Sequence, residues 1–189
     1  MRNRLWAVLL AGTVVGAFSA GRVFSQDADE KISAPGAEHK SLAKLVGDWN
    51  VASKVWDNPG APAKETKAHG KFRAIMGGRF IVQDYEGEYE GKPFTGMGTF
   101  GYDNKKQKYT RSWIDSGSTS MSYSEGTDDG KSKTYVAEMM GSGGQKMTMK
   151  QTIVFQDDDH FLFTFAMVMG PDEAPKEMKM MELAYTRKK

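Results

Sequence analysis

Between Lys146 and Met169, large apolar residues recur with a period of two in two successive runs. The apolar positions are Met147, Met149, Ile153 and Phe155 in the first run and Phe161, Phe163, Phe165, Met167 and Met169 in the second. Because successive side chains of a β-strand point to opposite faces, this period predicts two strands, each with one strongly apolar face. Such a face must point into a core.

Further segments of the same kind lie upstream and downstream of this pair. The stretch Gly77–Asp115 contains three runs rich in aromatic and β-branched residues, separated by Gly, Asn and Asp. The remaining predicted strands are Trp49–Val55, Glu65–Ile75, Thr119–Glu125, Lys133–Met139 and Glu177–Arg187. About ten short strands with mostly short connections predict an all-β, antiparallel meander. A meander of this length usually closes into a barrel, since closure removes the exposed edges.

A short amphipathic helix is expected just before the first strand, over Glu38–Val46. Leu42, Leu45 and Val46 have the i, i+3, i+4 spacing of one helix face. We expect this helix to plug one end of the barrel.

The N-terminus has the layout of a secretory signal peptide over residues 1–25: two arginines, an apolar run from Leu5 to Phe18, then small residues. We predict cleavage after Ser25, with Ser19 as the alternative. The run is shorter than the about 20 residues that span a bilayer, so we expect no stable membrane span in the mature chain. A polar linker over residues 26–37 and one barrel domain over residues 38–189 would follow, in an exported protein, either periplasmic or secreted.

The charge of the mature chain argues against a nucleic-acid partner. Arg2, Arg4 and Arg22 fall in the leader, which leaves 26 − 3 = 23 basic against 24 acidic residues, a net charge of −1. A near-neutral, evenly mixed chain lacks the basic surface that nucleic acids require.

Several motifs indicate a family. Gly47-Asp48-Trp49 opens the first strand, and Arg187 lies near the end of the last. Further motifs are Gly77-Gly78-Arg79-Phe80, Phe94-x-Gly96-x-Gly98, Gly101-Tyr102-Asp103, Trp113-Ile114-Asp115-Ser116 and the segment Met181–Lys188. From Glu38 to Lys188 the chain resembles the bacterial domain-of-unknown-function family numbered 1579, and its Gly-x-Trp resembles that of lipocalins and other calycins. The resemblance implies a lipocalin-like barrel whose floor is closed by Trp49 with Arg187 across its ring, and it implies no activity.

The interior of such a barrel would be amphipathic if the faces that carry aromatic residues point inward. Arg79, Gln83, Arg111, Asp115 and Glu125 would then lie inside. Buried charges need partners or a wet cavity, so the interior is either a closed polar network in a filled core or a ligand cavity. For the cavity we predict a non-enzymatic site for a small hydrophobic or amphipathic molecule, with two arginines favouring an anionic head group. Its predicted ligand-binding residues are Arg79, Gln83, Tyr85, Arg111, Trp113, Met149, Phe163, Phe165 and Met167.

Methionine supports an alternative function. The chain has 13 methionines, and Met147-x-Met149, Met167-x-Met169 and Met178-x-Met180 each place two thioethers on one predicted strand face. Thioethers suit Cu(I), so handling of copper in the periplasm is the second hypothesis, with Met147 and Met149 as ligands. Methionine also fills irregular cores, and a filled barrel with a surface interaction role is the third.

The sequence gives little support for thiol-based, enzymatic or haem-based chemistry. Cysteine is absent, which excludes disulfides, thiol nucleophiles and zinc–thiolate sites. Neither a nucleophile elbow nor a His-Glu-x-x-His helix occurs, although an enzyme using carboxylates inside the barrel remains an alternative. Nitrobindin, another calycin-like barrel, binds haem through a histidine near its C-terminus, whereas no histidine follows His160 here. The leading hypothesis, a binding cavity, therefore includes no catalytic residue, no metal ligand and no cofactor.

Overall fold

The computed structural model describes residues 33–58, 60–140, 146–169 and 176–189. A helix, α1 (Ala37–Leu42), and a 3₁₀ turn (Ala43–Leu45) precede ten strands. The strands are β1 (Gly47–Val55), β2 (Lys64–Ile75), β3 (Phe80–Tyr89), β4 (Lys92–Asp103), β5 (Lys108–Asp115), β6 (Ser122–Asp128), β7 (Lys133–Met140), β8 (Lys146–Phe155), β9 (His160–Met169) and β10 (Lys176–Arg187). The predicted signal peptide and most of the predicted linker lie outside the described residues.

The strands form one closed barrel in which each strand pairs antiparallel with the next. The barrel closes where β1 pairs with β10, with Trp49 opposite Arg187 and Val55 opposite Met181. The predicted all-β, ten-stranded, lipocalin-like barrel with a short N-terminal helix is confirmed. No helix among the described residues is long and apolar enough to cross a membrane.

Helix α1 and the 3₁₀ turn cover one end of the barrel, which we call the closed end. Leu42 and Leu45 are buried there, as their helical spacing predicts. The indole Nε1 of Trp49 donates a hydrogen bond to the Leu45 carbonyl oxygen at 2.8 Å. The helix is therefore fixed to the first strand by both apolar contact and a buried polar contact.

Aromatic side chains fill the closed end. Phe161 and Tyr185 stack with their ring centres 4.1 Å apart, and Trp49 meets Phe161 edge-on at 4.7 Å. Phe72, Phe100 and Tyr135 complete this layer. Aromatic pairs in offset or edge-on geometry add stability beyond their buried area, so this end is a solid core.

Two predicted interior residues lie outside the barrel. Arg79 precedes β3 in a helical turn, so the strand alternation that would turn it inward begins only at Phe80. Its Nε donates to the Ser33 carbonyl oxygen at 3.0 Å. Glu125 faces outward because its partners across the sheet, Thr110 and Val136, are outward positions. It pairs with Lys106.

Strand β6 begins three residues later than predicted, at Ser122. The Ser118 hydroxyl accepts a hydrogen bond from the backbone N–H of Ser120 at 3.1 Å, and such local bonds compete with strand pairing. In β10 the register shifts between Lys179 and Met181. Met178 and Met181 pair with the inward residues Met167 and Phe165, and Met180 is the extra residue at the shift.

Candidate functional site

A cavity of about 410 Å³ lies above the aromatic layer, toward the end of the barrel that α1 leaves uncovered. Its wall includes residues from β1, β3, β4, β5, β8, β9 and β10. It reaches exposed residues at this end, among them Tyr89 and Ser118. We call this end the mouth. The upper half of the barrel is therefore hollow while the lower half is packed.

Strand β5 shows the depth profile of the cavity. Its inward residues are Tyr109, Arg111, Trp113 and Asp115, in order from the closed end to the mouth. Tyr109 packs against Tyr102 near α1, and Asp115 accepts a hydrogen bond from the backbone N–H of Gly117 in the loop that follows. At about 3.3 Å per residue, Arg111 lies roughly 13 Å below Asp115 along the strand.

Arg111 is a buried cation at the bottom of the cavity, with 7% of its surface exposed. Its Nη1 donates to Gln151 Oε1 at 3.0 Å, and its buried Nε has no hydrogen-bond partner among the residues that the structure describes. In the described part of the chain no carboxylate forms an ion pair with it. Burial lowers the pKa of Arg111 to about 10, and the groups that act on its charge are Tyr185 and Tyr135. The guanidinium is therefore still protonated at neutral pH.

Three aromatic rings surround the Arg111 guanidinium. Its carbon lies 5.3 Å from the ring centre of Phe100, 5.2 Å from that of Trp113 and 5.3 Å from that of Phe163. A desolvated cation gains about 2 kcal/mol from such contacts. They offset part of the burial cost and hold the group in place, yet they supply no hydrogen-bond acceptor.

The Gly96-x-Gly98 motif of β4 makes room for Trp113. A Cβ atom at Gly96 would collide with Cζ2 of the Trp113 ring, and one at Gly98 would lie 3.1 Å from its Cε3. The indole Nε1 donates to Asp115 Oδ2 at 2.8 Å, and Tyr85 meets the ring edge-on at 6.2 Å. The ring is thus fixed between strand, carboxylate and tyrosine as part of the cavity wall.

A second polar pair joins β3 to β10 inside the barrel. Gln83 Nε2 donates to the Tyr185 hydroxyl oxygen at 3.1 Å, and both side chains are buried. Burial raises the pKa of Tyr185 above its ordinary value. Tyr135, at the base of the core, has a buried hydroxyl that finds no partner within the described ranges. Its pKa is also raised by burial.

The structure brings seven of the nine predicted ligand-binding residues together on the cavity wall: Gln83, Tyr85, Arg111, Trp113, Met149, Phe163 and Phe165. Arg79 lies outside the barrel. Met167 is buried between its strand neighbours Met149 and Met178 and does not line the cavity.

Other wall residues were not predicted: Ser53, Val55, Phe94, Gln151, Met181, Leu183 and Tyr185. The period-2 pattern of β1 and β8 already places Ser53 and Gln151 on the inward faces. Met181 and Leu183 could not be placed in this way, because the register shift in β10 changes the alternation. Two carboxylates, Asp115 and the exposed Glu88, stand at the mouth.

Imidazole and carboxylate side chains do not cluster as a metal site in the part of the chain that the structure describes. No group of three or more His, Asp or Glu side chains converges there. His160 lies outside the barrel at the closed end, with its Nδ1 2.9 Å from Asp157 Oδ1. His39 accepts a hydrogen bond from the backbone N–H of Gly36 and caps α1.

Solved structures with a similar fold include a protein from M. tuberculosis, Rv2717c. It shares 11% identity over 82% of this chain and 100% of that chain, with a TM-score of 0.54. A de novo designed fluorescence-activating β-barrel shares 11% identity over 78% of this chain and 97% of its own, with a TM-score of 0.45. At these identities the likeness concerns the fold alone.

A search of curated proteins gives no match. A family model described as "Protein of unknown function (DUF1579)" matches residues 34–187, nearly the whole described barrel. The motifs that it covers include the Gly-x-Trp at the barrel floor and the Gly-x-Gly beside Trp113. The chain therefore belongs to the DUF1579 family.

Proposed function

We propose that this protein binds one small apolar or amphipathic molecule inside the barrel. The observation that carries the proposal is the cavity of about 410 Å³, since protein interiors are otherwise close-packed. Its volume lies within the roughly 300–1,000 Å³ typical of small-molecule sites. Such sites combine an apolar wall with a few fixed polar groups, and Phe163, Phe165 and Met149 surround Arg111 and Gln83 in this way.

Adjacent residues of β1 provide a matched test. Ser53 faces the cavity and is buried, whereas Ala52 is exposed on the outer face. Ser53→Leu should fill the cavity, and Ala52→Leu adds a side chain of the same size outside. The measurement is fluorescence of a neutral, environment-sensitive dye titrated with the native protein and both variants.

The native protein and Ala52→Leu should bind the dye with equal affinity, and Ser53→Leu should bind it at least about tenfold more weakly. Circular dichroism and thermal unfolding would confirm that both variants fold. Equal dye binding by a folded Ser53→Leu protein would remove the cavity as the binding site.

A second candidate function is the binding of Cu(I), and the strand register favours it. Met149 lies directly opposite Met167, and Met167 opposite Met178, on the inward faces of β8, β9 and β10. Directly opposite residues have Cβ atoms about 4.5–5.5 Å apart, so three flexible thioethers form one row. Thioether sulfur is a soft ligand that suits Cu(I).

Conservative replacement separates this candidate from core packing. Met149→Leu and Met167→Leu keep the apolar volume and should cost less than about 1.5 kcal/mol each. If the row binds Cu(I), both changes weaken its retention against a Cu(I) chelator, while Met97→Leu on the outer surface leaves it unchanged. Retention that is the same in all three variants would end this candidate.

We also propose that the protein is exported. The leader predicted over residues 1–25 would export the chain to the periplasm or the medium. The protein would then bind its ligand outside the cytoplasm. Cell fractionation with N-terminal sequencing tests this. A mature N-terminus at Gln26 in the exported fraction supports it, and an intact Met1 in the cytoplasmic fraction contradicts it.

A further inference from the structure

Arg111 is a buried group whose hydrogen-bonding capacity is mostly unused. A guanidinium offers five N–H donors, and within the described residues Arg111 makes one hydrogen bond, to Gln151. The Nε atom of Arg111 has no partner among these residues either. Unsatisfied buried polar groups are rare in native proteins and destabilise them, most of all when the group is charged. A cation in this condition at the bottom of a cavity requires an explanation.

The charges of the cavity are arranged by depth. Arg111 is the cation at the bottom, and the acidic residues on the wall, Asp115 and Glu88, stand at the mouth. Asp115 is already engaged by Trp113 Nε1 and the backbone N–H of Gly117. A ligand with one negative charge would therefore meet like charges at the mouth and an opposite charge at depth.

We propose that the ligand is an amphiphile with a single anionic head group, a carboxylate in the simplest case, and that it enters head first to bind Arg111 with its apolar tail toward the mouth. The inference rests on the proposed function and adds the class and orientation of the ligand. Carboxylates accept paired hydrogen bonds from a guanidinium. The apolar wall above Arg111, formed by Phe165, Phe94 and Met181, accepts the tail.

The test compares decanoic acid, decanol and decylamine, which differ only at the head group. Isothermal titration calorimetry at neutral pH should show that the acid binds at least about tenfold more tightly than the alcohol. The amine should bind more weakly than either. Arg111→Met should abolish the preference for the acid and leave alcohol binding intact. Arg79→Met is the matched control, because Arg79 lies outside the barrel, and it should leave the preference unchanged.

The orientation has its own readout. With the carboxyl carbon of the acid isotopically labelled, nuclear magnetic resonance follows the pKa of the bound acid in the unaltered protein. An adjacent buried cation should lower this pKa below that of the free acid. A carboxyl group at the mouth, beside Asp115 and Glu88, would instead show an ordinary or raised pKa and would overturn the inference even if Arg111→Met failed to fold.

The outcomes separate the two proposals. Equal affinity of the native protein for acid and alcohol would refute the role of Arg111 and leave the binding cavity standing. Failure of all three ligands and of the neutral dye would refute the binding cavity itself.

Discussion

The guanidinium carbon of Arg187 lies 4.1 Å from the centre of the Trp49 ring, across the junction at which β1 and β10 close the barrel. Its nitrogen atoms donate to the carbonyl oxygens of Val46, Lys44 and Asp158. One side chain thus joins the 3₁₀ turn, the first strand and the turn before β9. The closed end depends on this contact.

Replacement of Arg187 by alanine should therefore destabilise the barrel. Loss of charged hydrogen bonds and of the cation–π contact predicts a decrease of about 1–3 kcal/mol in the free energy of unfolding, given the partial exposure of the side chain. Urea unfolding measures it. Arg73→Ala, which removes an exposed ion pair with Asp84, should change stability by less than about 0.5 kcal/mol. Equal effects of the two changes would deny Arg187 this role.

Gly47 should tolerate no side chain. Its φ of 142° is rarely adopted by other residues, and a Cβ atom there would collide with Nη1 of Arg187. Gly47→Ala should lower the midpoint of thermal unfolding, because the added methyl group would displace the Arg187 side chain from its contacts. Combining it with Arg187→Ala should cost less than the sum of the two changes, because the collision disappears. Simple additivity in this double-mutant cycle would contradict the contact.

Gly96→Ala should displace the Trp113 ring from the cavity wall. Overpacking of this kind costs about 1–3 kcal/mol. A shift of the ring should also move the tryptophan fluorescence and weaken binding of the neutral dye. Met97→Ala, at the adjacent outward position, should alter neither dye binding nor the fluorescence. Unchanged dye binding by Gly96→Ala would show that Trp113 does not shape the site.

Stability should fall as the pH rises above about 10. Burial raises the pKa of Tyr109 to about 12 and that of Tyr135 and Tyr185 as well. Tyrosines of the unfolded chain ionise near pH 10 while these remain protonated, so the folded state binds more protons and loses stability with rising pH. The pKa of Arg111 is lowered to about 10, so this group alone would make the free energy of unfolding rise with pH. The three tyrosines act in the other direction and outnumber it.

Unfolding by urea at about pH 9 and about pH 11 checks this slope. Tyr135→Phe removes one of the three groups and breaks no hydrogen bond in the described structure, because the Tyr135 hydroxyl has no partner there. The variant should be at least as stable as the native protein at about pH 9, because it removes a buried unpaired hydroxyl, and it should lose less stability between about pH 9 and about pH 11. An identical pH dependence of the two proteins would contradict the assignment.

Much of this fold is readable from sequence because a period of two identifies both strand and face. The alternation predicts the inward orientation of Phe161, Phe163 and Phe165. The motif Gly47-Asp48-Trp49, together with Arg187, indicates where the first and last strands close the barrel. The alternation fails where local backbone geometry interrupts it. Arg79 lies in a helical turn, Met180 lies at a register shift and Ser118 forms its own turn.

The site was harder to predict than the fold. Arg111 and Gln83 could be placed on inward faces, but their depth depends on where the aromatic layer ends. The cavity is lined in part by small residues such as Ser53, whereas the large aromatic side chains pack together at the closed end. No single motif encodes that difference in volume.

Native mass spectrometry of the protein recovered from its own host, compared with the denatured mass of the same sample, tests the central claim most directly. The account predicts an added mass of one small organic molecule, which disappears on denaturation and is reduced in Ser53→Leu but not in Ala52→Leu. A bare chain that also fails to take up the neutral dye would contradict it and indicate a barrel without a ligand.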